Sequence, residues 1–190
     1  MNLLYKNITK IIDISEQDFE SFLSLTKTLE IKKDNFFISE GKIAKYIAFV
    51  NKGALHSYSI DEKGDKHIIQ IALENYWISD LFSFISGEQA LFNIQAIETS
   101  ELILLSKENF QKVCETIPVF ERFYRMLIQN AYVHSQKRIS RIYKNSAEER
   151  YLNLIKEHPE IIQRIPQHYI ASYLGIKPQS LSRIRKNLSN

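Results

Sequence analysis

The stretch that decides the reading of this chain is Pro166–Asn190, PQHYIASYLGIKPQSLSRIRKNLSN. It contains no acidic side chain, and its pattern gives two short helices about a glycine. In the first, Gln167 to Leu174, Ile170 and Leu174 fall at i,i+4, and the small Ala171 leaves room for a crossing helix. Gly175 permits the tight turn. Pro178 suits the first position of the second helix, where its missing N–H costs nothing. At about 100° per residue, Arg183 lies about 40° from Gln179, Lys186 about 20° to the other side, Ser182 about 60°, Asn187 about 80° and Ser180 about 100°. Leu181, Ile184 and Leu188 gather on the opposite side, about 140–200° away. One side is a core stripe and the other is rich in hydrogen-bond donors. This is the layout of a helix-turn-helix whose second helix lies in the major groove. The bland alternative is a basic amphipathic terminal helix that only packs.

The charge distribution points the same way. Residues 1–136 carry 14 Lys and Arg against 18 Asp and Glu, a net −4, whereas residues 137–190 carry 11 against 4, a net +7. A basic C-terminal part on a mildly acidic body is the electrostatic footprint of a nucleic-acid-binding module. At 190 residues and 44% hydrophobic content the chain has material for a real core. No run of 18 apolar residues is present, so no transmembrane helix is expected. The first residues lack an unbroken apolar stretch and a small-residue cleavage site, so no secretory leader is expected either. A lone Cys114 can form no internal disulfide and cannot alone hold a metal or cluster. A cytoplasmic location and a buried, inert thiol are the expectation.

Upstream, Ile8, Ile11, Ile12, Phe19, Phe22, Leu23 and Leu25 recur at roughly helical spacing, which predicts one or two opening helices over 8–30. From Ile31 short runs of Ile, Phe, Tyr and Val alternate with turn signals, and Gly41, Gly53 and Gly64 follow one another at 12 and 11 residues. That rhythm predicts antiparallel strands over 36–38, 45–50, 54–60, 66–73, 91–97 and 101–106, closing a small barrel or jelly roll. Trp77 to Ile85 reads as a short helix or turn. After Pro118 a helix is expected from Val119 to about Asn145, with Phe120, Tyr124, Leu127, Ala131, Ser135, Arg138 and Ile142 close to one stripe. A second copy of the chain is the simplest cover for such a stripe. A further helix over 147–158 leads to Pro159 and the C-terminal unit.

Here the residues resemble the Crp/Fnr superfamily of bacterial transcription regulators. The resemblance rests on EGKIAKYIAFVNKGALHSYSIDEKGDKHIIQIALENYW (40–77) and, more specifically, on IPQHYIASYLGIKPQSLSRIRKNL (165–188). It implies an α+β fold: an N-terminal double-stranded β-helix or jelly roll of the cyclic-nucleotide-binding type, a long dimerisation helix and a C-terminal winged helix-turn-helix. The corresponding segments are 1–117, 118–145 and 146–190. It implies base reading by Gln179, Ser180 and Arg183, with Gln167, Lys177, Ser182, Arg185 and Lys186 on phosphates. Lys177 stands where many members have a Ser or Thr cap, which weakens the cap and offers a phosphate contact. The partners implied are double-stranded DNA with a two-fold-related site and a second copy of the chain; RNA polymerase and a small-molecule effector are left open.

The departures bear on the ligand. The family's cyclic-nucleotide binders use a Gly-Glu pair for the ribose and an Arg-Ser/Thr pair for the phosphate, and these align with Ser79-Asp80 and Ala90-Leu91 here. Ala90 and Leu91 offer a phosphate neither a cation nor a hydroxyl, and an unpaired buried phosphate costs several kcal/mol. Cyclic AMP or cyclic GMP is therefore not expected in the usual manner, and one cysteine cannot hold an oxygen-sensing iron–sulfur cluster. Trp77, Asp80, Phe82, Phe84, Ala90, Leu91 and Phe92 mark where an effector pocket would lie, either filled by the aromatics or open to an apolar ligand.

No cofactor and no enzymatic activity are expected. A metal-dependent cupin would need several converging histidines, and only His56 and His67 lie in the barrel region. His134 and His168 read as helix-surface residues, the latter within reach of a phosphate. No P-loop, G-x-G-x-x-G or C-x-x-C is present. The rival reading is a β-roll effector-binding or protein-interaction module that does not bind DNA specifically.

Overall fold

A computed structural model describes residues 3–188. Its elements run α1 (Leu3–Thr9), α2 (Glu16–Ser24), β1 (Lys27–Ile31), β2 (Phe36–Ile38), β3 (Tyr46–Lys52), β4 (Leu55–Ile60), β5 (Lys66–Ala72), β6 (Trp77–Ile78), α3 (Leu81–Ser86), β7 (Asn93–Ala96) and β8 (Ser100–Ser106). They continue as α4 (Lys107–Thr116), α5 (Val119–Lys144), α6 (Ala147–Glu157), α7 (Pro159–Arg164), α8 (Gln167–Tyr173) and α9 (Pro178–Leu188). The strands form two four-stranded sheets, ordered β1-β8-β3-β6 and β2-β7-β4-β5. The six strands expected from the turn rhythm are all present. Two more were not expected. The helical expectation over 8–30 ends at Ser24, and Lys27–Ile31 instead pairs antiparallel with β8, Leu29 opposite Leu102. The two-residue β6 pairs Ala48 with Ile78 and Phe49 with Trp77. β1 was misread because four of its five residues are exposed, leaving no alternation to read.

The chain divides into two compact units, one running to Ser57 and resuming from Ala72 to Asn130, the other taking Tyr58–Ile71 and continuing from Ala131. The long helix α5 therefore contributes to both. In the first unit, α1 and α2 place Leu4, Ile8 and Phe22 in a core with Phe49, Leu102, Val113, Phe120 and Phe123. Aromatic rings run through it in sequence. Phe22 stacks on Phe120 at 4.5 Å, Phe120 meets Phe123 edge-on at 5.5 Å, Phe123 meets Trp77 at 5.9 Å and Trp77 meets Phe49 at 5.3 Å. Such pairs contribute about 0.5–1.5 kcal/mol each beyond the area they bury. They fix the first turns of α5 to the β-roll.

This corrects the stripe read along α5. Phe120 is buried in the chain's own core, and Tyr124 packs on Phe110 at 4.3 Å. The large apolar residues of α5 left exposed are Tyr132 (65% exposed), Val133 (46%), Ile139 (44%), Ile142 (36%) and Tyr143 (86%), of which Tyr132, Ile139 and Tyr143 are spaced 7 and 4.

In the second unit the same helix carries Arg138, which donates to the carbonyls of Ile68 (3.2 Å) and Ile69 (2.7 Å) and lies 5.0 Å over the ring of Tyr173. Ser172 of α8 donates to the Lys66 carbonyl (2.7 Å) and accepts from the Ile68 amide (3.0 Å). At the C-terminus of α5, Arg150 donates to the carbonyls of Ile142 and Asn145. There the chain reverses through a capping box, Ser146 with Glu149, into α6. Tyr151, Leu154, Ile161, Ile165, Ile170, Ala171, Leu174 and Leu181 are the buried apolar residues of these helices. Among the described residues no strand follows β8, so the wing that the family resemblance implies has no strand there; the C-terminal region is helical throughout.

Candidate nucleic-acid interface and the β-roll pocket

The two helices expected over Pro166–Asn190 are α8 and α9. The turn between them is set by backbone hydrogen bonds. The Gly175 amide donates to Ser172 (2.9 Å) and the Ile176 amide to Ala171 (3.0 Å), with Gly175 at φ 68°. This is a Schellman closure, in which a left-handed residue satisfies the last carbonyls of a helix. The amides of Ser180 and Leu181 then donate to the Lys177 carbonyl, so Lys177 opens α9 through its backbone while its side chain is exposed.

α9 is divided as the sequence requires. Leu181 is 1% exposed and Ile184 is half-buried, whereas Gln179, Ser182, Arg183, Lys186 and Asn187 are exposed. Ser180 and Arg185 are half-buried at the border. Gln167, at the first turn of α8, is exposed. Leu188, expected on the core stripe, is 43% exposed at the end of α9. His168 is exposed, its ring 4.1 Å from that of Tyr169.

Of the residues expected around an effector pocket, Asp80, Leu91 and Phe92 meet, through hydrogen bonds from backbone amides to the Asp80 carboxylate. Asp80 is 1% exposed, and its carboxylate accepts the amides of Ser83 (2.9 Å), Leu91 (2.8 Å) and Phe92 (3.1 Å). It caps α3 and pins the loop that would face a cyclic phosphate. Ser79 donates to the Tyr46 carbonyl. Ala90 is 3% exposed and locked by backbone bonds to Gly41 and Lys42. The Trp77 indole donates to Asn7 (3.0 Å), and Phe84 is buried against Phe110. Phe82 (43% exposed) and Leu91 (51%) point outward, and Phe92 is half-buried. The sequence reading set Asp80 at the position of the family's ribose pair; the signal it passed over was an Asp directly before the largely apolar run Leu81–Ile85, the residue type of a helix N-cap.

Other titratable groups are locally explained. His67 shares a 2.8 Å contact with Asp61, which holds the Asp61 carboxyl below its ordinary value, helped by the Asp65 and Lys63 amides. Burial, followed by Glu121 and Glu115, pushes the Cys114 thiol up, against the direction a reactive thiolate needs. His56 is buried at 1% exposure, and His134 is exposed. Among the described residues no three His, Cys, Asp or Glu side chains group as a metal site, and no helix is long and apolar enough to cross a membrane.

Residues 28–117 match the family described as the cyclic nucleotide-binding domain. The chain is 20% identical over 185 residues to the transcriptional activator protein anr of Pseudomonas aeruginosa, covering 91% of this chain and 75% of that one. It is 25% identical over 165 residues to the fumarate and nitrate reduction regulatory protein of Vibrio cholerae, covering 81% and 65%. Among solved structures, FixK2 of Bradyrhizobium japonicum shares the fold at a TM-score of 0.73 with 19% identity, over 86% of this chain and 84% of that one. Residues 28–117 are thus a domain of the cyclic nucleotide-binding family, and the chain as a whole shares its fold with FixK2. The relatives are named as regulators, not as enzymes.

The role of Asp80 is open to direct test. Asp80→Ala removes the acceptor of one buried and two part-buried amides, at about 1–3 kcal/mol for a buried one and less for the others, so a loss of about 3 kcal/mol is expected. Urea denaturation reads it as a lowered midpoint, and a loss under about 1 kcal/mol would show that the 91–92 loop holds without this carboxylate.

Proposed function

We propose that the chain is a sequence-specific DNA-binding transcription regulator acting as a cytoplasmic homodimer, with α9 in the major groove. The observation that carries this reading is the division of α9: Leu181 faces the core while Gln179, Arg183 and Lys186 stand exposed, with no acidic side chain from Pro166 onward. Gln179, Ser180 and Arg183 read base edges, Arg183 as a bidentate partner of guanine at about 1–3 kcal/mol of discrimination. Gln167, Lys177, Ser182, Arg185 and Lys186 contact phosphates and fix register. A two-fold axis beside α5, covering Tyr132, Ile139 and Tyr143, sets two recognition helices about 34 Å apart on a roughly palindromic site. RNA polymerase is the natural further partner of a regulator so placed.

The regulator does not answer to cyclic AMP or cyclic GMP in the family's usual manner. Asp80 is committed to backbone amides, and Ala90-Leu91 brings no cation to a phosphate.

In selection from a random duplex pool, the protein is expected to enrich a two-fold-symmetric motif. Arg183→Ala relaxes preference at one position of each half-site, whereas Lys186→Ala lowers affinity for all sequences and shallows the salt slope by about 1. Uniform weakening by Arg183→Ala would remove it from base reading, and an unchanged salt slope would remove Lys186 from the phosphate contacts. Adding cyclic AMP to the same selection should leave affinity unchanged; a cyclic-AMP-dependent gain would overturn the reading of the β-roll. Ile139→Asp buries an unpaired charge in the dimer stripe and is expected to give monomers in sedimentation. A dimer that survives would place the two-fold axis elsewhere.

A further inference from the structure

The second unit contains a cavity of about 340 Å³ walled by the last turns of α5, by α6 and by the end of α8. Its polar lining is lopsided. Lys137, Arg138, Arg141 and Arg150 face one carboxylate, that of Glu157. Arg141 grips Glu157 through both terminal nitrogens, at 2.7 and 2.6 Å, which holds the Glu157 carboxyl below its ordinary range. Arg138 and Arg150 spend Nη1 on backbone carbonyls. The Arg150 Nε is buried with no hydrogen-bond partner among the described residues. Lys137 is exposed at the mouth. The rest of the wall is apolar, chiefly Ile142, Leu154 and the Tyr173 ring.

An excess of like charge around a concave volume repels itself, and a bound anion relieves that repulsion. The volume lies in the range of small-molecule sites, which pair apolar walls with a few placed polar groups. The Arg141–Glu157 fork shows how the site already holds an oxyanion, and a guanidinium fork fits phosphate as well as carboxylate. A phosphomonoester brings a charge of about −1.5 to −2 and three acceptor oxygens, matching the excess better than a second carboxylate would. A duplex presents its phosphates along a broad ridge, which a compact concavity does not admit.

We propose that this cavity binds a small phosphorylated organic anion, its phosphate against Lys137, Arg141 and Arg150 and its apolar body on Ile142, Leu154 and Tyr173. The site is separate from the cyclic-nucleotide position of the β-roll. Its walls join the helix that carries the dimer stripe to the helices that lead to the DNA face, so the ligand regulates DNA affinity. That consequence rests on the DNA-binding reading above, whereas binding itself does not.

The test is calorimetry on the full chain with phenyl phosphate as probe, pyrophosphate as competitor and phenol as the uncharged control. Saturable binding of phenyl phosphate with Kd below about 1 mM is expected, displaced by pyrophosphate and at least about tenfold tighter than phenol. Lys137→Gln and Arg150→Gln should each weaken it about tenfold, and Glu157→Gln, which frees Arg141, should tighten it. Lys137 is exposed, so its variant decides the matter if Arg150→Gln fails to fold. No saturable binding, wild-type affinity in Lys137→Gln, phenol binding equally well, or displacement of the probe by duplex DNA would each overturn the site. Phenyl phosphate should also shift affinity for the selected duplex at least about threefold; binding without that shift would overturn the regulatory coupling alone. Probe binding by a chain that selects no duplex motif would uphold the cavity and sink the DNA reading.

Discussion

The second unit depends on one side chain. Arg138 leaves α5, donates to two successive carbonyls of β5 and covers the ring of Tyr173 on α8. A guanidinium can do this because its donors lie in a rigid plane whose flat face stacks on an aromatic ring. A lysine at the same place would reach a carbonyl but could not hold the ring in the same geometry. Three separate stretches of sequence, 68–69, 138 and 173, thus meet at one charged plane, which with the Ser172 bonds seats α8 on β5.

From α8 the rest is largely dictated. Ile170, Ala171 and Leu174 are buried, and Gly175 closes the helix with the carbonyls of Ala171 and Ser172 satisfied. Leu181 is buried on the core side of α9, which leaves the polar arc from Ser182 through Gln179 to Arg183 facing outward. The surface that would lie against DNA is set by apolar residues on the far side of the helix, not by the polar residues themselves.

This explains what the sequence could disclose. Periods of 3.6 residues, glycine turns and proline starts belong to single elements, so α5, α6, α8, α9 and six strands were legible. β1 was hidden by its exposure on both faces, β6 by its length of two residues, and α7 by lying between two prolines, Pro159 and Pro166, where a loop reads equally well. Arg138 fitted a helical stripe by spacing alone, and spacing cannot tell a contact with another chain from a bond to a distant strand of the same chain. The basic cavity was equally invisible, since its walls come from residues 134–142, 150–158 and 173–174. Asp80 shows the opposite failure, a local cap signal overridden by alignment to a ligand position.

Ser172 has a consequence of a different kind. β5 is the last strand of its sheet, and an uncovered outer strand offers open amides and carbonyls to any extended chain that passes. The Ser172 hydroxyl takes the Ile68 amide and gives its proton to the Lys66 carbonyl, standing in for the neighbouring strand that is missing. With Arg138 on the carbonyls of Ile68 and Ile69, side chains from α5 and α8 close this part of the sheet margin. The same contacts that seat α8 therefore also guard the chain against templated self-association.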